Sequence, residues 1–492
     1  MDHPQRLKPN LSVFDAFAVV AGTTIGSGIF IVSAAIASEV RSPALLLMVW
    51  ISASGLSLAG ALTVAELGAM MPAAGAQYVF LRESYGGMCA FLFGWTVVVV
   101  IQTGSVAAVS LVFAKYLGVI VPSVHSRWDL GPASIQGERL AGLALIAFLT
   151  TVNTRGLYTG RAVQNLFTVT KMAALFGIIF FALVAPNHQA WRANFGSWSA
   201  FVGAGAMSSS ILPGFGAAMI GALFSLGGSE NLMALGAEVR NPGRSLPLAL
   251  ISGTAIVIGL YLLINFAYLS QLPVLGDPAA STAVGRGISG AQAGRVATAA
   301  MEVMWGPAGA TLTAILVMVS TVGCLNGLIL GGARLMYAMA HDRVFFGTAA
   351  RLNDSSVPGF ALVLQAVWAS VLAASGDFGD LLNYMGAAAA LFGILTIAAV
   401  FVMRIKRPDA IRPYRAWGYP FVPVAHILGS LAILIDVVVV KPKYSLFGLF
   451  IVLSAVPLYL WLNRGVRLAS VPAEEFWLLP ASRSETRFGK TP

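Results

Sequence analysis

The first apolar segment of the chain, residues 16–38, contains a short run that could bind a small polar solute. The run Ala21 to Phe30 reads AGTTIGSGIF and places three glycines and three hydroxyl side chains among apolar residues. Glycine is costly inside a helix, and unpaired backbone is costlier in hydrocarbon, so such a run is tolerated where the helix opens onto protein or water. An opened helix presents free N–H groups on one side and free carbonyls on the other, a combination that suits a zwitterion.

A second apolar segment, residues 216–238, shows the same anomaly. Residues Leu223 to Asn231 read LFSLGGSEN, with a glycine pair, two serines and an acid between apolar flanks. Glycines in membrane helices also serve close helix packing, which is the alternative for either run taken alone. Two such runs, each opening a set of five apolar segments, favour a transporter with inverted repeats and a site at the bilayer midplane.

The elements that must position these runs follow from composition. Of 492 residues, 58% are hydrophobic and 10% are charged, against about 25% charged in a typical soluble domain. The sequence therefore predicts an all-α integral membrane protein with twelve transmembrane helices, in a five-plus-five inverted repeat with broken helices 1 and 6, an arrangement similar to that of LeuT-like transporters. The twelve apolar windows lie near 12–38, 43–71, 88–114, 140–156, 163–185, 216–238, 246–270, 307–335, 358–376, 381–403, 421–440 and 445–463.

The basic residues predict the orientation in the membrane. Of the 30 Lys and Arg residues, 20 fall on the side of the N-terminus and eight on the other side, with Lys115 and Lys171 left within helices. The positive-inside rule then places both termini in the cytoplasm of a protein in the cell (plasma or inner) membrane. The net charge of +10 does not indicate a nucleic-acid partner, because the basic residues form no stripe with interleaved aromatics.

The expected organisation follows from this topology. Two repeats cover residues 12–185 and 216–403, separated by an outer loop at 186–215. An inner loop and two peripheral helices occupy 404–463, and cytoplasmic tails occupy 1–11 and 464–492.

The expected binding chemistry is that of a helix N-terminus inside the membrane. The N-terminus of the second half of the first helix offers N–H donors and a positive dipole end, which suit a carboxylate. Ser27 and Gly28 are the residues predicted to supply them, with Gly26 allowing close backbone approach.

Three charged residues lie inside apolar segments and are therefore candidates for function. Lys171 lies deep in the fifth segment, well past Arg161 at its inner end, although a lysine that snorkels to the surface is the alternative. Glu230 follows the glycine pair of the sixth segment and is predicted to cap or gate its second half. Glu66, near the inner end of the second segment, is predicted to form a gate or structural pair with a loop arginine.

Several blocks of the sequence resemble the amino acid–polyamine–organocation superfamily of permeases. The blocks are GTTIGSGIF at 22–30, AELG at 65–68, PAAGAQY at 72–78, AEVRNPGRSLP at 237–247, STVGCLNG at 320–327, ARLMYAMA at 333–340 and PYRAWGYP at 413–420. They occur in the expected order over most of the chain. The first and last blocks look most like the L-type amino acid transporter branch and its bacterial relatives.

The resemblance implies a set of site residues and an activity. Thr24, Phe224 and Gly227 would hold the substrate ammonium, and Ile25, Ser225 and Leu226 would complete the lining. Lys171 would replace a sodium ion between the first and eighth helices, and its expected neighbours are Gly22, Thr23, Ser320 and Thr321. The implied activity is sodium-independent exchange of neutral L-amino acids by alternating access. Glu230 departs from the L-type pattern, where a neutral residue is expected.

Other functions remain open from the sequence alone. A proton-coupled amino acid symporter, or a cationic amino acid or polyamine permease, is the alternative within transport. An integral membrane enzyme would need a cluster of metal ligands or an acid/base pair, yet the histidines are scattered, and a channel fits two interrupted helices poorly. No metal or cofactor is expected. No disulfide-linked partner chain is expected either, because Cys89 and Cys324 fall in predicted helices or at their inner ends.

Overall fold

The structure is a computed structural model that describes residues 11–72, 75, 77–130, 133–156, 161–203, 212–342, 344–355, 357–376 and 378–462. The predicted tails before residue 11 and after residue 462 lie outside the described residues. Within these ranges the chain is almost entirely helical.

The first part of the chain, up to residue 203, forms ten helices, a π-helical turn and one hairpin. The helices are α1 Val13–Thr24, α2 Gly28–Val40, α3 Pro43–Met70, α4 Gln77–Tyr85, α5 Gly87–Thr96, α6 Gln102–Ile120, α7 Gly137–Thr154, α8 Arg161–Val184, α9 His188–Phe195 and α10 Trp198–Val202. The π-helical turn Val97–Ile101 joins α5 to α6. Between α6 and α7 lie the 3-10 turn Pro122–His125 and an antiparallel hairpin of β1 Arg127–Leu130 and β2 Ala133–Gln136.

The second part of the chain, from residue 212, forms nine further helices. They are α11 Leu212–Leu226, α12 Ser229–Ala234, α13 Pro242–Gln271, α14 Ala283–Arg286, α15 Val296–His341, α16 Gly359–Ser375, α17 Phe378–Lys406, α18 Phe421–Val440 and α19 Pro442–Leu462. Short 3-10 turns lie at Gly236–Glu238, Gln292–Gly294 and Gly347–Ala350.

Several of these helices are long and apolar enough to cross a membrane. Seven meet that condition within the described residues, or eight when α1 and α2, which are bent by 41°, count as one span. Three shorter apolar helices lie at Gly214–Leu226, Gly359–Ser375 and Ser445–Trp461. Each of the twelve apolar windows of the sequence falls on a helix or on a broken pair of helices. The chain is therefore a multi-pass membrane protein.

Both glycine runs interrupt their helices. A capping box starts α1, in which the backbone N–H of Ser12 donates to Asp15 at 2.9 Å and the Asp15 N–H donates back to the Ser12 hydroxyl at 3.2 Å. α1 ends at Thr24, and α2 begins only at Gly28. α11 and α12 are separated by Gly227 and Gly228, and the φ of 147° at Gly228 favours glycine.

Three features differ from the expectation. The predicted outer loop 186–215 contains α9 and α10. α15 is longer than the predicted eighth segment, but Gly306, with a φ of 64°, breaks it where that segment was expected to begin. The π-helical turn after α5 carries no sequence signal, because its residues VVVVI are ordinary helix-core residues.

The part of α2 beyond the break is enclosed by neighbouring helices. Ile29, Ile31 and Val32 are all buried. The Ser33 hydroxyl donates to the Asn265 side chain of α13 at 2.6 Å, which satisfies a polar pair inside the packed region. The residues of α2 that follow the break are thus packed against neighbouring helices.

Candidate functional site

A cavity of about 410 Å³ lies between the two helix breaks. Its closed end is formed by residues of both breaks, and its walls come from α3, α6, α15 and α17. Gln77 and Arg334 line its other end. The members of the breaks that line it are Thr23, Thr24, Gly26, Ser27, Gly28, Phe224, Ser225, Leu226, Gly227 and Gly228.

The carbonyls of the first break are occupied by side chains from other helices. Four consecutive carbonyls each accept a bond: Gly22 from Lys171 Nζ at 2.9 Å, Thr23 from Cys324 Sγ at 3.5 Å, Thr24 from Tyr261 OH at 2.9 Å and Ile25 from Ser320 Oγ at 3.2 Å. The Thr24 carbonyl also accepts from the Gly26 N–H at 2.7 Å. Its two lone pairs are therefore filled, so the expected role of this carbonyl in holding an ammonium group does not match its hydrogen bonds.

Three hydrogen-bond donors of the first break have no acceptor among the described residues. The N–H groups of Ser27 and Gly28 make no hydrogen bond to the described residues. The Ser27 hydroxyl is 1% exposed and also has no partner within the described part of the chain. Ser27 precedes α2 with helical dihedral angles, so its side chain does not cap the helix. This end of α2 thus offers unused donors to the cavity.

The second break is open on its acceptor side. Among the described residues, no donor reaches the carbonyls of Leu226 and Gly227, whereas the Phe224 carbonyl accepts from the Gly227 N–H at 3.2 Å. The Gly228 carbonyl accepts from the Thr23 hydroxyl at 3.0 Å, which joins the two breaks. The cavity is therefore bordered by unpaired N–H donors on one side and unpaired carbonyls on the other.

Two glycines of the first break also have a packing role. A Cβ added at Gly26 would lie 2.8 Å from Cys324 Sγ, and one added at Gly28 would lie 2.8 Å from Ser225 Cβ. A β-branched residue at Gly28 would therefore push α2 from α11 before it reached a substrate. The packing and binding explanations of this run apply together.

Lys171 is buried against the opened helix. Its side chain is 5% exposed, and its only described hydrogen bond is the one to the Gly22 carbonyl. The ammonium group also lies 3.6 Å from the position of a Cβ on Gly323. The Ser320 hydroxyl donates instead to the Ile25 carbonyl of the first break, and the Thr321 hydroxyl donates to the Met318 carbonyl of its own helix at 2.8 Å. Lys171 thus contacts α1 and α15, without a hydrogen bond to Ser320 or Thr321.

The two candidate acids differ in what the structure describes. Glu66 is 1% exposed and accepts two hydrogen bonds from Arg404, at 2.6 and 3.0 Å. Arg412 lies 3.5 Å away, and the Ala416 N–H donates to the same carboxylate at 2.6 Å. Glu230 is the second residue of α12, and its side chain lies outside the described part of the structure.

Further cavity residues escaped the sequence analysis. Gln102 and Ser105 on α6 and Met385 on α17 line the wall, where Gln102 donates to the Leu328 carbonyl at 2.5 Å and the Ser105 hydroxyl approaches Met385 Sδ at 3.6 Å. Polar residues inside an apolar third segment were an available signal. Tyr261 carried a weaker signal, because tyrosines are common in membrane helices.

Polar pairs surround the opposite end of the cavity. Arg334 pairs with Glu238 at 3.4 Å, and Gln77 donates to the Thr396 hydroxyl at 2.5 Å. We call Glu66 and its partners Arg404, Arg412 and Ala416 the Glu66 cluster. Glu66 lies two residues after Val64 on α3, and Val64 lines the cavity. This end therefore carries the ion pairs, whereas the end at the breaks carries unpaired backbone groups.

Taken together, the fold and the cavity define a multi-pass membrane protein with a solute-sized site between two interrupted helices. The family model described as amino acid permease matches residues 11–463. The chain therefore belongs to the amino acid permease family, which confirms the resemblance seen in its motifs. It is an amino acid transporter and not an enzyme.

Individual relatives are similar over nearly the whole chain. The serine/threonine exchanger SteT of Bacillus subtilis (strain 168) is 29% identical, with 92% of this chain and 96% of the relative covered. The b(0,+)-type amino acid transporter 1 of Homo sapiens is 30% identical, with coverage of 92% and 88%. The human large neutral amino acids transporter small subunit 2 is 27% identical, with coverage of 92% and 80%.

Proposed function

We propose that this protein exchanges neutral L-amino acids across the cell membrane without sodium. The observation that carries the proposal is the pairing of unused donors at Ser27 and Gly28 with unused acceptors at Leu226 and Gly227 around one cavity. A zwitterion satisfies both sets, its carboxylate at the end of α2 and its ammonium at the end of α11. The printed names of the relatives, an exchanger and two amino acid transporters, support the same substrate class.

The proposed coupling follows from Lys171. A fixed ammonium 2.9 Å from the Gly22 carbonyl supplies a positive charge where the first helix opens. We propose that this charge takes the place of a bound sodium ion. Proton-driven uptake is the alternative, because a lysine between two helices can also exchange a proton.

The proposed architecture places twelve spans in two inverted repeats of five, followed by α18 and α19. Breaks at corresponding positions, α1–α2 and α11–α12, support this arrangement. With both termini in the cytoplasm, the ion-paired end of the cavity faces inward and the packed part of α2 closes the outer side. Alternating access then requires α2 and α11 to separate from their outer neighbours. We further propose transport without a disulfide-linked partner, since Cys89 lies in α5 and Cys324 is buried in α15.

The test of the substrate class is a panel of labelled amino acids in proteoliposomes. Uptake is measured with and without an internal amino acid, with sodium or choline outside, and at two pH values. The proposal expects uptake of neutral amino acids that depends on internal substrate and is unchanged in choline. Uptake that needs a pH gradient and no internal substrate would support proton symport, and uptake confined to lysine or arginine would support a cationic permease.

A pair of serine variants tests the site itself. Ser27→Ala removes a hydroxyl that has no partner within the described residues, so we expect unchanged thermal stability and a KM raised by roughly ten- to a hundredfold, the effect of losing one hydrogen bond to a charged group. Ser33→Ala, on the same helix, removes the bond to Asn265 and is the matched control. It should lower stability and leave KM unchanged. An unaltered KM in Ser27→Ala would show that the Ser27 hydroxyl does not bind the substrate.

A further inference from the structure

The loop that joins α17 to α18, residues 407–420, exposes apolar side chains where the chain leaves the membrane. We call this loop the strap. Ile411 is 87% exposed and Trp417 is 69% exposed, although neither belongs to a helix that faces lipid. Both flanking helices meet the length and hydropathy conditions of membrane spans, so the strap lies at the bilayer boundary. Exposed apolar groups at that level indicate contact with the membrane interface.

The strap is held against the protein by other residues. A Cβ on Gly243, at the start of α13, would lie 2.8 Å from Pro413 Cβ, so the two segments touch. Arg412 donates to four backbone carbonyls within the strap and at the end of α17, those of Met403, Arg407, Pro408 and Ala410. The exposed positions of Ile411 and Trp417 thus belong to a firmly packed loop.

The strap also carries a basic side chain that pairs with no other described residue. Arg415 is exposed, and its side chain forms no hydrogen bond or ion pair within the described residues. By contrast, Arg407 pairs with Glu83 at 2.8 Å, and Arg404 pairs with Glu66. An arginine without a protein partner among the described residues, beside the exposed Trp417, favours anionic head groups, since each basic residue near an anionic membrane surface gains about 1 kcal/mol.

The strap is connected to the inner end of the cavity. The Ala416 N–H, one residue from both Arg415 and Trp417, donates to the Glu66 carboxylate at 2.6 Å. Glu66 holds Arg404, whose guanidinium lies 3.6 Å from the centre of the Tyr419 ring. A shift of the strap therefore acts directly on the ion pair between α3 and α17.

We propose that the strap binds anionic phospholipids and thereby regulates transport. Ile411 and Trp417 enter the interface, Arg415 binds a phosphate-bearing head group, and the Glu66 cluster transmits this contact to the inner end of the cavity. The regulatory step rests on the proposed transport function, whereas lipid binding does not. The alternative is a generic contact with any bilayer, in which head-group charge has no effect.

The experiment uses the full-length protein in proteoliposomes of phosphatidylcholine, with or without phosphatidylglycerol. We expect phosphatidylglycerol to raise the exchange rate by up to roughly fivefold, the limit set by one basic contact worth about 1 kcal/mol. Arg415→Gln should abolish this increase and keep the rate measured in phosphatidylcholine alone, and Arg415→Lys should restore the increase. Arg351→Gln, an exposed arginine of the same end, is the matched control and should respond like the parent protein.

A second measurement separates the two proposals. The unfolding midpoint of detergent-solubilised protein should rise with added phosphatidylglycerol more than with phosphatidylcholine, and Arg415→Gln should remove that difference. A parent protein that shows no such difference, or an equal loss in Arg351→Gln, overturns the lipid site. If lipid stabilises the protein but no amino acid exchanges in any membrane, the proposed function fails and the lipid site stands.

Discussion

The two helix breaks share a composition but not a state of hydrogen bonding. At the first break, side chains from α8, α13 and α15 donate to four consecutive carbonyls, whereas the N–H groups of Ser27 and Gly28 and the Ser27 hydroxyl have no partner among the described residues. At the second break, the carbonyls of Leu226 and Gly227 stay open. Among the described residues, the first break thus offers donors at Ser27 and Gly28, and the second break offers acceptors at Leu226 and Gly227.

In the proposed function, this difference lets two similar runs build one site for a zwitterion. Buried backbone groups must be paired, so an opened helix needs outside partners for whatever it does not offer to a ligand. The first break obtains them from Lys171, Tyr261, Ser320 and Cys324. Among the described residues, the second break is joined to the first by the hydrogen bond that the Thr23 hydroxyl donates to the Gly228 carbonyl. The first break is thus the fixed side of the site, and the second is the side with fewer constraints.

The largest expected effect is at the contact between the breaks. Gly228→Ala forces a side chain onto a residue with a φ of 147° and places its Cβ 2.7 Å from the Thr24 nitrogen. We expect destabilisation of about 3 kcal/mol or more and loss of exchange. Gly227→Ala, whose Cβ would lie 3.3 Å from the Phe224 carbonyl oxygen and 3.6 Å from that of Leu223, is the control and should lose much less. Thermal unfolding in detergent compares them, and equal midpoints would contradict a tight contact at Gly228.

The next effect concerns the fixed side. Lys171→Ala leaves the Gly22 carbonyl buried without its donor, at a cost of about 1–3 kcal/mol, so exchange should fall roughly tenfold. Thr168→Val, which removes a 3.1 Å bond to the Ala18 carbonyl in the same helix pair, should have a smaller effect. Exchange by the parent protein should continue when choline replaces sodium. If exchange by the parent protein ceases when choline replaces sodium, Lys171 does not take the place of a sodium ion.

A further prediction addresses the acid beside the second break. If Glu230 caps the second half of that helix, Glu230→Gln keeps part of the hydrogen bonding and retains neutral amino acid exchange, whereas Glu230→Leu loses more, by about 1 kcal/mol. Uptake of leucine, alanine and arginine in both variants gives the measurement. Arginine uptake that vanishes in Glu230→Gln, with neutral uptake unaffected, would reverse the proposed substrate class.

The smallest expected effect tests whether the carbonyls of the first break need their partners. Tyr261→Phe removes the 2.9 Å bond to the Thr24 carbonyl and should lower the rate of exchange several-fold, the result of losing about 1 kcal/mol. Tyr268→Phe removes a 3.5 Å contact to the Ile29 carbonyl and should change little. Equal rates of exchange in the two variants would show that transport does not require the hydrogen bond from Tyr261 to the Thr24 carbonyl.

Much of the fold could be read from local composition. Long uncharged windows mark the helices because each must bury its own backbone in hydrocarbon, and every window falls on a helix or broken pair. The glycine runs marked both breaks for the same local reason. The π-helical turn, the β1–β2 hairpin and the helices of the outer loop were missed, since no local pattern distinguishes them.

The sequence by itself determined the class of protein and the positions of the two breaks, and it singled out Lys171 and Glu66 as charged residues inside apolar segments, because glycine and buried charge are costly wherever they occur. Only the tertiary structure decided which backbone groups remain open. Tyr261, Ser320 and Cys324 lie more than 200 residues from the carbonyls they bind, and nothing in the first helix indicates that its carbonyls are filled. Hydrogen-bond pairing depends on neighbours in space, so the open donors at Ser27 and Gly28 and the open acceptors at Leu226 and Gly227 became visible only when the helices were packed.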